Sequence, residues 1–444
     1  MFGRVVNKKV VVLAVLLAGV PALAQNGEFG SFHPYSLFGI GDRFLPGTAY
    51  NRTMGGVGTA TRNNRFINPL NPASVTARDT LSFMCDFSMS ENNRYFKEYE
   101  GDVKRSSARN TFNLTDLIMS FPIYRSSAMM IGISPYSSTG YSYGYYEDNE
   151  EIISQVGNVY YSFLGQGSIY QGYIGAGVTF WKRLSLGAQW IHYFGNISKT
   201  RPVVATGSGV VGFTGGTEQI LNADGAKFGL QYEQPIGSKW KICLGATYNI
   251  GATFRGYVNN YVSLDGSATS GNLSDTTLVL ASVKEKVRIA PEATVGISVN
   301  YMDKIRGEFN YAISDWRGTG LDTFEGFASE GFQTTTSQAF RVGFEYVPNR
   351  NDVRYFFRRC AYRVGAYWED SYYLYDGRKT VTRGVTLGIT LPVFRWYNGL
   401  SLGVEFGKNG VLGNIGQRTV DETFVKFAIG INLFDIWFQK LQYD

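Results

Sequence analysis

WKICLGATYNIGATF, residues 240–254, alternates apolar side chains with small or polar ones along its whole length. Trp240, Ile242, Leu244, Ala246, Tyr248, Ile250, Ala252 and Phe254 share one face. Lys241, Cys243, Gly245, Thr247, Asn249, Gly251 and Thr253 share the other. A period of two belongs to a β-strand. Soluble strands run about 5–6 residues, whereas a tilted membrane strand needs about 9–11 in hydrocarbon. The stretch therefore reads as a membrane strand with its apolar face toward lipid. Similar alternation recurs at residues 81–90, 170–181, 184–194, 340–346, 381–391 and 425–433.

Composition fits this reading. Of 444 residues, 44% are apolar, too many for a disordered chain. Charged residues are 18%, below the usual share of about 25%. The formal charge is +6, and three of those charges (Arg4, Lys8, Lys9) belong to an N-terminal leader. The remainder is too small, and too scattered, to indicate a nucleic-acid partner. Cys85, Cys243 and Cys360 are odd in number and far apart, so they suggest neither a disulfide framework nor a zinc site. They read as small packed side chains inside strands.

The leader has a basic start, an apolar core at residues 10–20 and Ala22-Leu23-Ala24 before Gln25. This is the pattern of a cleaved signal peptide over residues 1–24. Its apolar core is too short to span about 30 Å of hydrocarbon. After Gln25 no run of 18 apolar residues occurs. Only helices and closed barrels satisfy their backbone polar groups in lipid, so an exported strand-rich chain of this kind is expected to close into a barrel.

The connections set the strand number. Short ones fall at residues 122–127, 182–183, 235–239, 302–304, 348–359 and 392–399. Longer polar ones fall at 91–110, 147–158, 198–225, 255–285, 317–337, 370–379 and 408–421. Thirteen connections join 14 strands, with short turns on one side and long loops on the other. The expected fold is all-β, a 14-stranded antiparallel transmembrane β-barrel over residues 79–444, in a bacterial outer membrane. Residues 25–78 break the rhythm. They are rich in Gly, Asn and Pro but carry Phe32, Leu37, Phe38, Ile40, Phe44 and Leu45. That apolar content favours an N-terminal plug, or hatch, in the lumen over a solvated tail.

Three stretches resemble the FadL/TodX family of outer-membrane transporters for long-chain fatty acids and other hydrophobic compounds. The first is AYNRTMGGVGTATRNNRFINPLNPAS, residues 49–74, which ends in the signature Asn71-Pro72-Ala73. The others are RIAPEATVGISVNYMDKIRGEFNYAISDW, residues 288–316, and FRVGFEYVPNRNDVRYFFRRCAYRVGAYWED, residues 340–370. The resemblance implies a hatch that blocks the lumen and a kinked third strand that opens the wall sideways. Here the third strand carries Ser134, Pro135, Tyr136 and Gly140. Proline cannot donate to a ladder and marks an edge or a bulge. These residues read either as a lateral opening or as an ordinary bulge. Two features depart from the family's pattern. The chain runs past Phe434, Trp437 and Phe438 to Asp444 instead of ending on an aromatic residue. The long loops also lack an apolar helix for a capture groove.

No enzyme constellation emerges, and no cofactor or metal is expected. His33 and His192 cannot be paired from sequence, and no metal-ligand spacing exists. Alternation sends Asp86, Glu233, Arg288, Glu308, Arg341, Glu345, Arg363 and Glu405 toward the lumen. Arg288, Arg341 and Arg363 are candidate partners for a ligand carboxylate. Equally, they are candidates for ion pairs that hold the plug. The leading expectation is transport of a hydrophobic small-molecule ligand, with membrane lipids around the barrel and lateral exit near Pro135. The alternative is an accessory or structural barrel with protein partners in an envelope export or outer-membrane assembly complex. An open porin fits less well, because the plug should block it.

Overall fold

The computed structural model describes residues 30–78, 82–100, 103–207, 212–265, 276–284, 287–324, 326–329, 331–393, 399–411 and 420–436. The leader expected at residues 1–24 lies outside them. Fourteen antiparallel strands form the wall. They are β1 (Ser82–Glu100), β2 (Val103–Tyr124), β3 (Ser127–Tyr146), β4 (Val159–Phe180), β5 (Leu184–Ala205), β6 (Gly212–Ile236), β7 (Trp240–Thr253), β8 (Glu292–Tyr301), β9 (Ile305–Asp315), β10 (Thr336–Tyr346), β11 (Ala361–Tyr375), β12 (Arg378–Leu391), β13 (Gly399–Val411) and β14 (Val420–Ile436). Each pairs with its neighbours in sequence. β14 closes on β1 from Ile436↔Ser82 to Val420↔Glu98, so the sheet closes on itself.

The barrel is inverted relative to a soluble protein. Val295, Ile297, Phe309, Val342, Phe344 and Val364 are exposed on the outside. Arg306, Glu308, Asn310, Arg341, Glu345 and Arg363 are buried inside. Large apolar side chains outside and charges inside are the pattern of a wall bathed in lipid. Trp181, Tyr124, Trp240, Tyr346 and Tyr362 form an exposed aromatic belt near the short turns, with half-buried Tyr301 packed beside Trp240. One expected inward residue does not belong to this set. Val287 and Ile289 point into the lumenal core, so Arg288 between them is exposed. Alternation sends Arg288 inward by taking its apolar neighbours as lipid-facing, whereas Val287 and Ile289 pack in the lumenal core.

Several expected long loops are strand instead. Residues 91–100 and 103–110 continue the β1–β2 ladder to Glu100↔Val103. The β5–β6 ladder runs on to Val203↔Phe213. β11 and β12 join through the two-residue turn Asp376-Gly377, whose φ angles of 47° and 72° suit the twist of a tight hairpin. The polar composition of these segments reflects paired strands rising out of the membrane. By contrast, the described residues between Trp316 and Thr335 fold inward. Trp316, Leu321, Phe327 and Phe332 are buried against Tyr35, Phe38 and Ile40 of the plug.

Residues 30–78 fill the lumen. They carry short helical turns at Pro34–Leu37, Ala49–Arg52 and Pro72–Thr76, and a two-residue strand, Asp42–Arg43, that pairs with β3. A charge on the lipid face should cost far more than a polar change inside. Ile297→Arg is expected to destabilise the barrel by about 2–4 kcal/mol. Ser298→Ala, one residue on, removes one hydrogen bond to Ala60 O and should cost about 1 kcal/mol. Reversible urea unfolding in lipid vesicles measures both.

Candidate functional site

The plug meets the wall at glycine after glycine. Wall positions Gly187, Gly229, Gly245, Gly343, Gly365 and Gly430 lie against Ala73, Asn71, Thr59, Met54, Gly55 and Ala49 of the plug, respectively. A β-carbon at any of these wall positions would fall within forbidden distance of plug atoms. Glycine is thus required for close backbone approach rather than for a turn. Hydrogen bonds tie the same surfaces. The Gly55 amide donates to Thr386 Oγ1 (2.9 Å), and Thr386 Oγ1 donates to Thr53 O (3.1 Å). Gln231 Nε2 donates to Thr59 O (3.0 Å), and the Ala60 amide donates to Glu308 Oε1 (2.9 Å).

Asn71-Pro72-Ala73 forms one wedge in this surface. Asn71 Oδ1 accepts the Ala73 amide (3.0 Å) at the start of the Pro72–Thr76 turn. Asn71 Nδ2 donates to Thr59 O (2.8 Å) within the plug and to Leu230 O (3.1 Å) on β6. The asparagine therefore satisfies both its own helical turn and the wall.

Several of the charged residues inside are paired with one another. Arg306, Glu345 and Arg363 sit opposite one another on β9, β10 and β11. Arg363 Nε donates to Glu345 Oε2 (2.9 Å), and its guanidinium lies over the Tyr50 and Phe66 rings at 4.4 and 4.8 Å. Arg306 donates to Tyr50 Oη (2.9 Å). Arg341 pairs with Glu369 (2.7 Å) and Arg43 with Glu292 (2.6 Å). Arg94 bridges Glu422 (2.9 Å) and Asp42 (3.0 Å), and His33 Nδ1 lies 2.5 Å from Glu422 Oε2. Arg341 and Arg363 thus face the lumen with carboxylates of this chain already beside them, whereas Arg288 does not reach it.

The third strand is broken from its neighbour. β2 and β3 pair only from Tyr124↔Ser127 to Leu117↔Ile133, whereas β3 and β4 pair as far as Tyr146↔Tyr160. The β3–β4 register slips between Pro135 and Ser137, which leaves Tyr136 as the extra residue of a bulge. Tyr136 turns inward against Tyr193, with ring centroids 5.0 Å apart. Above Ile133, β3 leans into the lumen and pairs with the plug instead. Asp42↔Ser138 and Arg43↔Ser137 are partners, and the His33 amide donates to Gly140 O (2.7 Å). Ser134, Pro135, Tyr136 and Gly140 thus lie along one wall break, which the plug covers from inside.

The space left between plug and wall is small, and polar and apolar side chains line it together. Three cavities hold about 40, 80 and 100 Å³. The one behind Pro135 is lined by Arg43, Arg52, Lys227, Glu292, Arg341 and Glu369, among others. Pockets for small organic ligands are usually about 300–1,000 Å³ and largely apolar. Ion pairs holding the plug are among the readings the sequence offers for Arg341 and Arg363, but alternation gives a residue's face and not its partner.

These features define a plugged transmembrane β-barrel of the outer-membrane type, with a wall break at its third strand. The family model described as BamG matches residues 6–444, and the chain belongs to the BamG family. No curated protein matches it. Among solved structures it is similar to the CymD monoaromatic hydrocarbon channel, with 12% identity and a TM-score of 0.56 over 88% of this chain and 98% of that one. It is also similar to a Pseudomonas aeruginosa FadL homologue, with 12% identity and a TM-score of 0.56 over 89% and 100%. The Pseudomonas putida toluene transporter TodX is similar at 13% identity, with a TM-score of 0.54 over 89% and 99%. The fold is therefore the one shared by these channels and transporters, as the resemblance in the sequence implied.

Two substitutions separate plug retention from barrel stability. Gly245→Val should force the plug from the wall and convert a silent barrel into an ion-conducting one in planar bilayers. Glu345→Leu should leave buried arginine charge unpaired, at a cost of about 3–5 kcal/mol in unfolding experiments.

Proposed function

We propose that this barrel is a sealed, accessory component of an outer-membrane protein complex, and that its lumen is a structural core. The observation that carries this reading is the fit of plug to wall. Glycine contacts surround the plug, and every cavity described between the two is below the size of an organic ligand pocket. A conduit needs a second arrangement with a populated path, and the price of breaking this many buried polar contacts together is high. A barrel that conducts nothing acts through its surfaces, as a partner in export or assembly of envelope proteins.

A second reading has its own observation. β3 departs from β2 above Ile133, and the solved barrels of this fold are described as hydrocarbon channels and toluene transporters. In that reading a hydrophobic compound such as a long-chain fatty acid enters from outside, displaces the plug and leaves laterally near Pro135. Arg341 and Arg363 would receive its carboxylate only after Glu369 and Glu345 were displaced.

Native mass spectrometry of the protein released gently from its own membrane distinguishes the two. The accessory reading expects a stoichiometric complex with other envelope proteins and a barrel free of small hydrophobic adducts. A lone barrel carrying a fatty-acid-sized adduct, lost when the β3 bulge is removed by deleting Tyr136, would replace it with the transport reading.

A further inference from the structure

The connection between β10 and β11 differs from the other described short turns. Residues 347–360 form an ordered knuckle that ends in the short helix Phe356–Arg359. Asp352 Oδ1 accepts the amides of Arg354 (2.9 Å) and Tyr355 (2.8 Å), and the Asn349 amide donates to Arg358 O (2.8 Å). These amides hold the Asp352 carboxyl below its usual range. The segment is therefore a built structure, not a solvated charged turn.

Its exposed side chains are of two kinds. Val353 is 98% exposed and Phe357 68% exposed, with Tyr355 and Phe356 beside them. Arg354, Arg358 and Arg359 are exposed as well. Arg358 lies 4.7 Å over the Tyr355 ring, and Arg359 lies 5.3 Å over Phe356. Asp352, 3.5 Å from Arg358, is the one acidic side chain between Val347 and Arg363. The knuckle also has a definite place. Tyr362 belongs to the aromatic belt, points outward, and donates its hydroxyl to Phe357 O (3.1 Å). The short helix thus hangs on the lipid-facing side of the wall, just past the belt.

We propose that residues 353–359 are an interfacial clamp for anionic phospholipid of the leaflet on the short-turn side. Phe357 and Val353 enter the acyl boundary, and Arg358 and Arg359 hold headgroup phosphate. Three observations favour lipid as the occupant over a protein. The helix is continuous with the aromatic belt, three arginines face one carboxylate, and guanidinium groups stacked on rings are preorganised for phosphate. The proposal is independent of what the lumen does.

A photo-reactive phenylalanine analogue at Phe357, in the full protein in its native membrane, tests it. Crosslinks to phospholipid support the clamp, and crosslinks to a polypeptide overturn it in favour of a protein-docking surface. In nanodiscs, the double variant Arg358→Gln, Arg359→Gln should lose about fivefold per arginine in retention of phosphatidylglycerol over phosphatidylcholine. Equal retention by wild type and variant would also overturn the proposal. Neither position touches the barrel core, so unfolding stability serves as the control for folding.

Discussion

Close approach of the plug backbone to the barrel wall is the constraint on which the rest of this structure depends. A 14-stranded wall encloses more space than its own inward side chains can fill, and lipid outside offers no polar partner. The space is filled by residues 30–78, which come near enough to the wall that several of its inward positions must be glycine. Glycine weakens a strand in isolation. Here each one is offset by contact with the plug and by hydrogen bonds such as Gln231 to Thr59 O. Wall and plug consequently specify each other, and the glycines at these wall positions are a property of the interface between them.

The same closeness determines the electrostatics. Charges cannot face lipid, so they face inward, where the plug excludes most of the water. Buried charges persist only when paired. The row Arg306, Glu345 and Arg363 meets that demand with help from Tyr50, and Arg94 meets it by joining wall residue Glu422 to plug residue Asp42. The break in β3 obeys the same rule for the backbone. Where β3 leaves β2, its amides and carbonyls find Asp42, Arg43 and His33 instead. The break and the plug are one feature, since removing the plug would leave the inner edge of β3 unpaired within the membrane.

Period-two alternation made the barrel legible, because the pleat forces it and lipid amplifies it. Residues 240–254 are a clear case, and β7 occupies all but the last of them. Loop length was less legible. Polar residues such as 91–110 read as loop because polarity signals solvent, yet strands paired above the membrane are solvated as well. A local signal did exist at Asp376-Gly377, the favoured dipeptide for a tight hairpin. Arg288 shows the limit of counting by twos. Its face is set by Ile289, which packs in the lumenal core, and no pattern in the flanking polar residues reports that. The pairing of Arg341 with Glu369 and Arg363 with Glu345 was also out of reach, because it depends on register between strands, which alternation does not encode.

Where the wall meets the Asn71–Ala73 wedge it carries small residues on both faces. Gly177, Gly187 and Gly229 face the Asn71–Ala73 wedge, while Ala176 and Ala188 on β4 and β5, and Ala246 on the adjoining β7, face outward. These small residues leave a lipid-facing depression of about 780 Å³, bounded by Ile123, Phe228, Leu230 and Tyr248. Small side chains on both faces allow the sheet to approach the wedge without a void inside, and they move the missing volume to the lipid side. Fluid acyl chains fill such a hollow at little cost, whereas a buried polar void would leave groups such as Asn71 Nδ2 unpaired. The wall is therefore shaped to the wedge, and moving the wedge would open polar space on the one side that lipid cannot fill.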